Sequence, residues 1–105
     1  MMPDYWVILE LSGVDHHFRL LMSWSGGYLY GDSWRINSGV ASCEQTDDSL
    51  VFKGASGSEY TCHKDRYGLS TITEGILRKM QEDLKMPVKV LDGDIDWTKH
   101  DWIIS

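Results

Sequence analysis

The chain has 105 residues, a size that suits one domain with a core of its own and no need of metal or disulfide staples. Ten Lys and Arg against sixteen Asp and Glu give a formal charge of −6 with no basic run, which argues against a nucleic-acid binder. Hydrophobic residues at 42% and charged residues at 25% argue against a disordered or membrane class, and the departure from ordinary usage is aromatic, with five Trp and five Tyr against two Phe.

The opening Met1-Met2-Pro3-Asp4 lacks a positive leader, and the apolar run Trp6 to Leu9 is too short for a signal core or a membrane span, so a cytoplasmic location is expected. Tyr5 to Leu11 reads as a first strand: Tyr5, Val7, Leu9 and Leu11 share one face, and Trp6 and Ile8 the other. Apolar residues on both faces predict a central strand. After a turn at Ser12-Gly13-Val14-Asp15, Phe18, Leu20, Met22 and Trp24 alternate with Arg19, Leu21 and Ser23 in a second strand, paired with the first as a hairpin. Gly26-Gly27 predicts the next hairpin turn, with a third strand from Tyr28 that bends or bulges near Gly31 before Trp34 and Ile36 resume the pattern.

Asn37-Ser38-Gly39 reads as a turn, Val40 to Glu44 as a fourth strand, Thr46 to Ser49 as a polar turn, and Leu50 to Lys53 and Ser58 to His63 as two more strands. The helix near residues 70–86 is the strongest element. Ile72, Ile76, Leu77, Met80 and Leu84 make one apolar stripe, and Thr71 with Glu74 fits a capping box. Pro87 ends it, Val88 to Leu91 forms a last short strand, and the segment from Ile95 carries too much apolar surface in Trp97, Trp102, Ile103 and Ile104 to stay undocked. The fold class predicted is α+β in a single domain: a twisted antiparallel sheet of about five to seven strands, a meander that can roll towards a barrel, packed with one amphipathic helix.

Few residues carry chemistry by spacing. Cys43 and Cys62 are in no Cys-x-x-Cys arrangement and are expected as free thiols, and neighbours such as Cys62-His63 or His16-His17 point to opposite faces of a strand, so no metal site and no cofactor is expected. Asp92, Asp94 and Asp96 alternate like the start of a calcium loop, but Trp97 and Ile103 occupy its sixth and twelfth places, where glycine and glutamate belong. No Gly-x-Ser-x-Gly elbow and no phosphate-cradling loop is present.

The most unusual stretch is Trp24 to Arg35, where Trp24, Tyr28, Tyr30, Asp32, Trp34 and Arg35 combine flat rings with a charged pair among glycines, the composition of a binding face. Its segments Ser23-Trp24-Ser25-Gly26-Gly27-Tyr28 and Gly31-Asp32-Ser33-Trp34-Arg35 with Ser38-Gly39, together with Gly57-Ser58-Glu59-Tyr60-Thr61-Cys62 and Gly68-Leu69-Ser70, resemble small proteins of bacterial mobile integron gene cassettes over roughly residues 20–80. That resemblance implies a cytosolic adaptive protein and carries over no catalytic or ligand residue.

Two functions are weighed. The first is a non-enzymatic binding or interaction protein that uses the aromatic sheet face for a small molecule or protein partner, with Trp97, Trp102 and Ile103 as interface residues of a homodimer. The second is a small enzyme with a cleft between sheet and helix, Cys62 or His63 as nucleophile or base, and Asp65 or Arg66 in support.

Overall fold

The structure, a computed structural model, describes residues 3–12, 16–27, 31–37, 39–83, 87–100 and 102, the side chains of 25–27, 31, 32 and 83 excepted. Seven strands and one α-helix follow in the order β1 (Tyr5–Ser12), β2 (His16–Gly27), β3 (Gly31–Ile36), β4 (Val40–Gln45), β5 (Ser49–Gly54), β6 (Glu59–His63), α1 (Thr71–Asp83) and β7 (Val88–Val90), with a 3-10 turn at Lys64–Arg66. They form two antiparallel sheets, one of four strands in the order β3-β2-β1-β7 and one of three in the order β4-β5-β6. The α+β class is as expected. The single rolled sheet is not: the meander breaks after β3, and neither sheet closes into a barrel.

Asn37 supplies the physical reason for the break. Its backbone N–H still donates to Leu20 O at 3.1 Å, as the next rung of the β2–β3 ladder would. Its side chain then takes over, with Oδ1 accepting from Leu20 N at 2.7 Å and Nδ2 donating to Gly39 O at 3.0 Å. The amide caps the ladder and aims the chain into the second sheet, while pairing the buried Leu20 N–H that the end of the ladder would leave open.

β1 is central, as its two apolar faces predict, flanked by β2 in the register Trp6↔Met22, Ile8↔Leu20 and by β7 in the register Leu9↔Val90. Alternation then sorts the core into two clusters. Trp6, Ile8, Phe18, Leu20 and Met22 face the smaller sheet, where Val40, Cys43, Leu50, Phe52, Tyr60 and Cys62 meet them. Val7, Leu9, Leu11 and Leu21 face the helix, against Ile76, Leu77 and Met80. The larger sheet is thus a middle layer between the smaller sheet and α1, each fully buried large side chain contributing about 1.5–3 kcal/mol before entropy is subtracted.

The capping box is one residue earlier than expected. Ser70 N donates to Thr73 Oγ1 at 2.8 Å, Thr73 N donates back to Ser70 Oγ at 3.4 Å, and Ser70 O accepts the first helical bond, from Glu74 N. The Ser70 hydroxyl also donates to Ser23 Oγ, 2.9 Å away on β2, tying the helix start to the sheet. Of the predicted stripe, Ile76, Leu77 and Met80 pack on the sheet, buried Thr73 joins their face, Ile72 is only half-buried, and Leu84 lies outside the described residues.

Gly26 and Gly27 belong to β2 and not to the turn, and the ladder irregularity falls between Trp24 and Gly27, ahead of Gly31. In the smaller sheet Gly57 takes a φ of +94°, the left-handed region that glycine enters without a Cβ clash, and so closes the β5–β6 turn. The segment after β7 docks inside the chain itself. Trp97 and Trp102 stack at 5.9 Å with 23° between their planes, and Trp102 meets Phe18 and Phe52 edge-on.

Candidate functional site

The open edge of the larger sheet carries the aromatic stretch. The Asn37–Leu20 rung fixes the alternation of the β2–β3 ladder, so Arg35 and Ser33 turn their backbone groups towards Met22 and Trp24, while those of Trp34 point outward from the edge. Trp34 pairs with Ser23 and Trp24 with Ser33, so the two indoles leave opposite faces of the ladder. Trp24 leans half-buried on the core, whereas Trp34 remains 43% exposed. With Ser33 and Arg35 they line one depression of about 330 Å³ that wraps the β3 edge. Tyr5, 38% exposed, lies on the same cross-strand row as Trp34, with Ser23 between them, and the Arg66 guanidinium stands 5.9 Å from the Tyr5 ring.

Of the six binding residues expected from sequence, Trp24, Trp34 and Arg35 therefore come together. The strand position of Asp32 is described but not its side chain, and Tyr28 and Tyr30 lie outside the described residues. Trp97 and Trp102, expected at an interface, are instead core residues at 3% and 8% exposure, because the gap between the two sheets takes their rings. Ile103 lies outside the described residues.

The cysteine and histidine groups do not converge. Cys62 is fully buried between the sheets, and burial first, then the neighbouring Cys43, pushes its thiol far above the ordinary range. Burial likewise pushes Cys43 up to about 12, with the Asp96 and Glu44 carboxylates adding to the effect. The two thiols are free and sit on strands either side of β5, two interstrand steps and two residues along the strand apart, beyond disulfide reach. His63 points the other way, to the outside, where its Nε2 stands 3.4 Å from Asp48 Oδ2 and its Nδ1 accepts from Asp65 N at 3.3 Å. It shares a shallow depression with Pro3, Asp4, Asp65 and Arg66, and no thiol reaches that surface. Between sheet and helix, Val7, Leu9, Leu11 and Leu21 pack against Ile76, Leu77 and Met80.

His16 bonds Glu10 at 2.7 Å while His17 accepts from Arg19 at 2.8 Å, the divergence that strand alternation dictates. Among the described residues no three His, Cys, Asp or Glu side chains gather as a metal site. Asp96, candidate for a calcium loop, spends Oδ1 on Thr98, accepting from its hydroxyl at 2.6 Å and its N–H at 3.1 Å, and the hydroxyl bond is the main reason its carboxyl is held below the usual range.

A third place escaped the sequence reading. At one end of the gap between the sheets, Trp6, Tyr67 and Trp97 form the floor of a cavity of about 240 Å³, with Lys64, Gln45 and Asp96 at its rim. Trp6 meets Tyr67 edge-on at 4.7 Å, and Tyr67 lies 5.6 Å from Trp97. Gly93 backs the Tyr67 ring so closely that a Cβ there would come within 2.6 Å of it. The lining comes from distant parts of the chain, and no local motif announces it.

No protein-family model, curated protein or solved structure matches the chain. Among the described residues no helix is long and apolar enough to cross a membrane.

Proposed function

We propose that this chain is a small, non-enzymatic binding protein that acts through the β3 edge of its larger sheet, with a second copy of itself as the partner. The observation that carries this reading is Trp34, a large indole 43% exposed on an edge strand beside its own outward-pointing backbone groups. Edge strands are templates for pairing with another chain, and proteins usually blunt them with charge, proline or a covering element. Here Trp34 extends the template, and Trp24 and Arg35 shape a depression beside it. Antiparallel addition of a second β3 about a two-fold axis at Trp34 sets the two indoles opposite each other and joins the two sheets into one.

A cytoplasmic setting belongs to the same proposal and is supported by two buried, unpaired cysteines. So does membership of the integron-cassette proteins, which rests on the sequence of residues 20–80 alone. The enzyme reading draws less support, since Cys62 faces the core and burial disfavours its thiolate.

Sedimentation velocity over a concentration series tests the proposal. The expected result is a dimer for the natural chain and a monomer for Trp34→Glu, with the melting temperature of the protomer little changed because the indole is on the surface. A natural chain that stays monomeric throughout, or a Trp34→Glu variant that still dimerises, overturns it.

A further inference from the structure

The cavity between the sheets has the chemistry of a ligand site distinct from the β3 edge. The polar ends of Trp6 and Tyr67 are spent on the backbone: Trp6 Nε1 donates to His63 O at 2.8 Å, and the Tyr67 hydroxyl donates to Leu91 O at 2.5 Å while accepting from Ile8 N at 3.3 Å. What Trp6 and Tyr67 offer a ligand is therefore apolar ring surface, held by those bonds and by ring contacts with each other and with Trp97.

The rim is the opposite. Lys64 makes no ion pair within 4 Å among the described residues, and the Gln45 amide has no hydrogen-bond partner among them. The Asp96 carboxylate is oriented by its two bonds to Thr98. Lys64 and Asp96, of opposite charge and with no ion pair within 4 Å between them, thus line the same cavity as the aromatic rings. The space of about 240 Å³ lies below the roughly 300–1,000 Å³ typical of drug-sized ligands and suits something smaller.

We propose that this cavity binds a small zwitterion with a compact apolar body, the chemistry of an apolar α-amino acid: its carboxylate against Lys64 and Gln45, its ammonium against Asp96, its side chain on the aromatic floor. Hydrogen bonds to charged groups are the stronger kind, and losing one of them costs about tenfold in affinity or more.

Trp6 and Trp97 are built-in reporters, so the test is titration of the full chain with L-phenylalanine, followed by tryptophan emission and by calorimetry. Phenylacetate and phenethylamine, each lacking one of the two charges, serve as comparators. The expected result is saturable binding of L-phenylalanine, about tenfold weaker or more for either comparator, and reduced by a similar factor in Lys64→Met and Asp96→Asn. Both substitutions are on exposed residues, and circular dichroism confirms that each variant is folded. Trp34→Glu should bind as the natural chain does, which separates this site from self-association. Absence of saturable binding, equal binding of all three compounds, or undiminished binding by both rim variants overturns the proposal.

Discussion

His100 and Asn37 are both polar residues inside an apolar setting, and they have opposite energetic consequences. The His100 ring meets Phe18 and Trp102 edge-on at 4.6 Å, yet its Nε2 is buried with no hydrogen-bond partner among the described residues. A buried polar atom left unpaired costs about 1–3 kcal/mol, and an apolar replacement of the same shape removes that cost. His100→Phe should therefore raise stability by about 1 kcal/mol in denaturant unfolding; a fall would mean that the nitrogen is engaged in solution. Asn37 is the reverse case, because its amide is fully used. Asn37→Ala strands the Leu20 N–H inside the protein and should lower stability by about 1–3 kcal/mol, visible as a drop in the denaturation midpoint. Neither role is legible in the sequence. His100 belongs to no sequence pattern and Asn37 reads as an ordinary turn residue, because what each side chain meets is decided by strands far away along the chain.

Helix α1 shows how far local pattern reaches. Its apolar spacing placed it correctly, since a period of 3.6 cannot be confused with the period of two on either side. Its cap falls one residue earlier than the Thr71-x-x-Glu74 pattern indicates, because Thr73 takes the place of the usual Glu or Gln opposite Ser70, and Ser23 on β2 holds the Ser70 hydroxyl. Two substitutions on this helix should act with opposite sign. Ser70→Ala removes the cap and the Ser23 bond and should cost about 1 kcal/mol. Gly75→Ala adds a Cβ into open space on the exposed side and should gain about 0.5–1 kcal/mol from helix propensity. Chemical denaturation of the two single variants and the double variant checks both, and additivity in the double would show that cap and interior act independently.

For the whole molecule, alternation tells which face of a strand is buried but not which sheet the strand joins. That is why every strand was legible while the division into two sheets was not, and why the cavity lined by Trp6, Tyr67 and Trp97 could not be foreseen. The same two-sheet burial gives the protein a pH dependence. Burial holds Cys43 at about 12 against an ordinary 9.0, and Tyr67 at about 12 against 10.0, with Cys62 also raised. In each case the native state keeps a proton that the unfolded chain gives up sooner. Between the two values the unfolded state binds fewer protons, so stability falls as pH rises. The contribution is intact below about pH 9 and is lost progressively towards about pH 12. Thermal unfolding across the alkaline range should show a melting temperature that declines from pH 9 upward, with a shallower decline for Cys43→Ala, which removes one of the titrating groups. A melting temperature that stays level to pH 11 in the natural chain would mean that water reaches these groups in the native state.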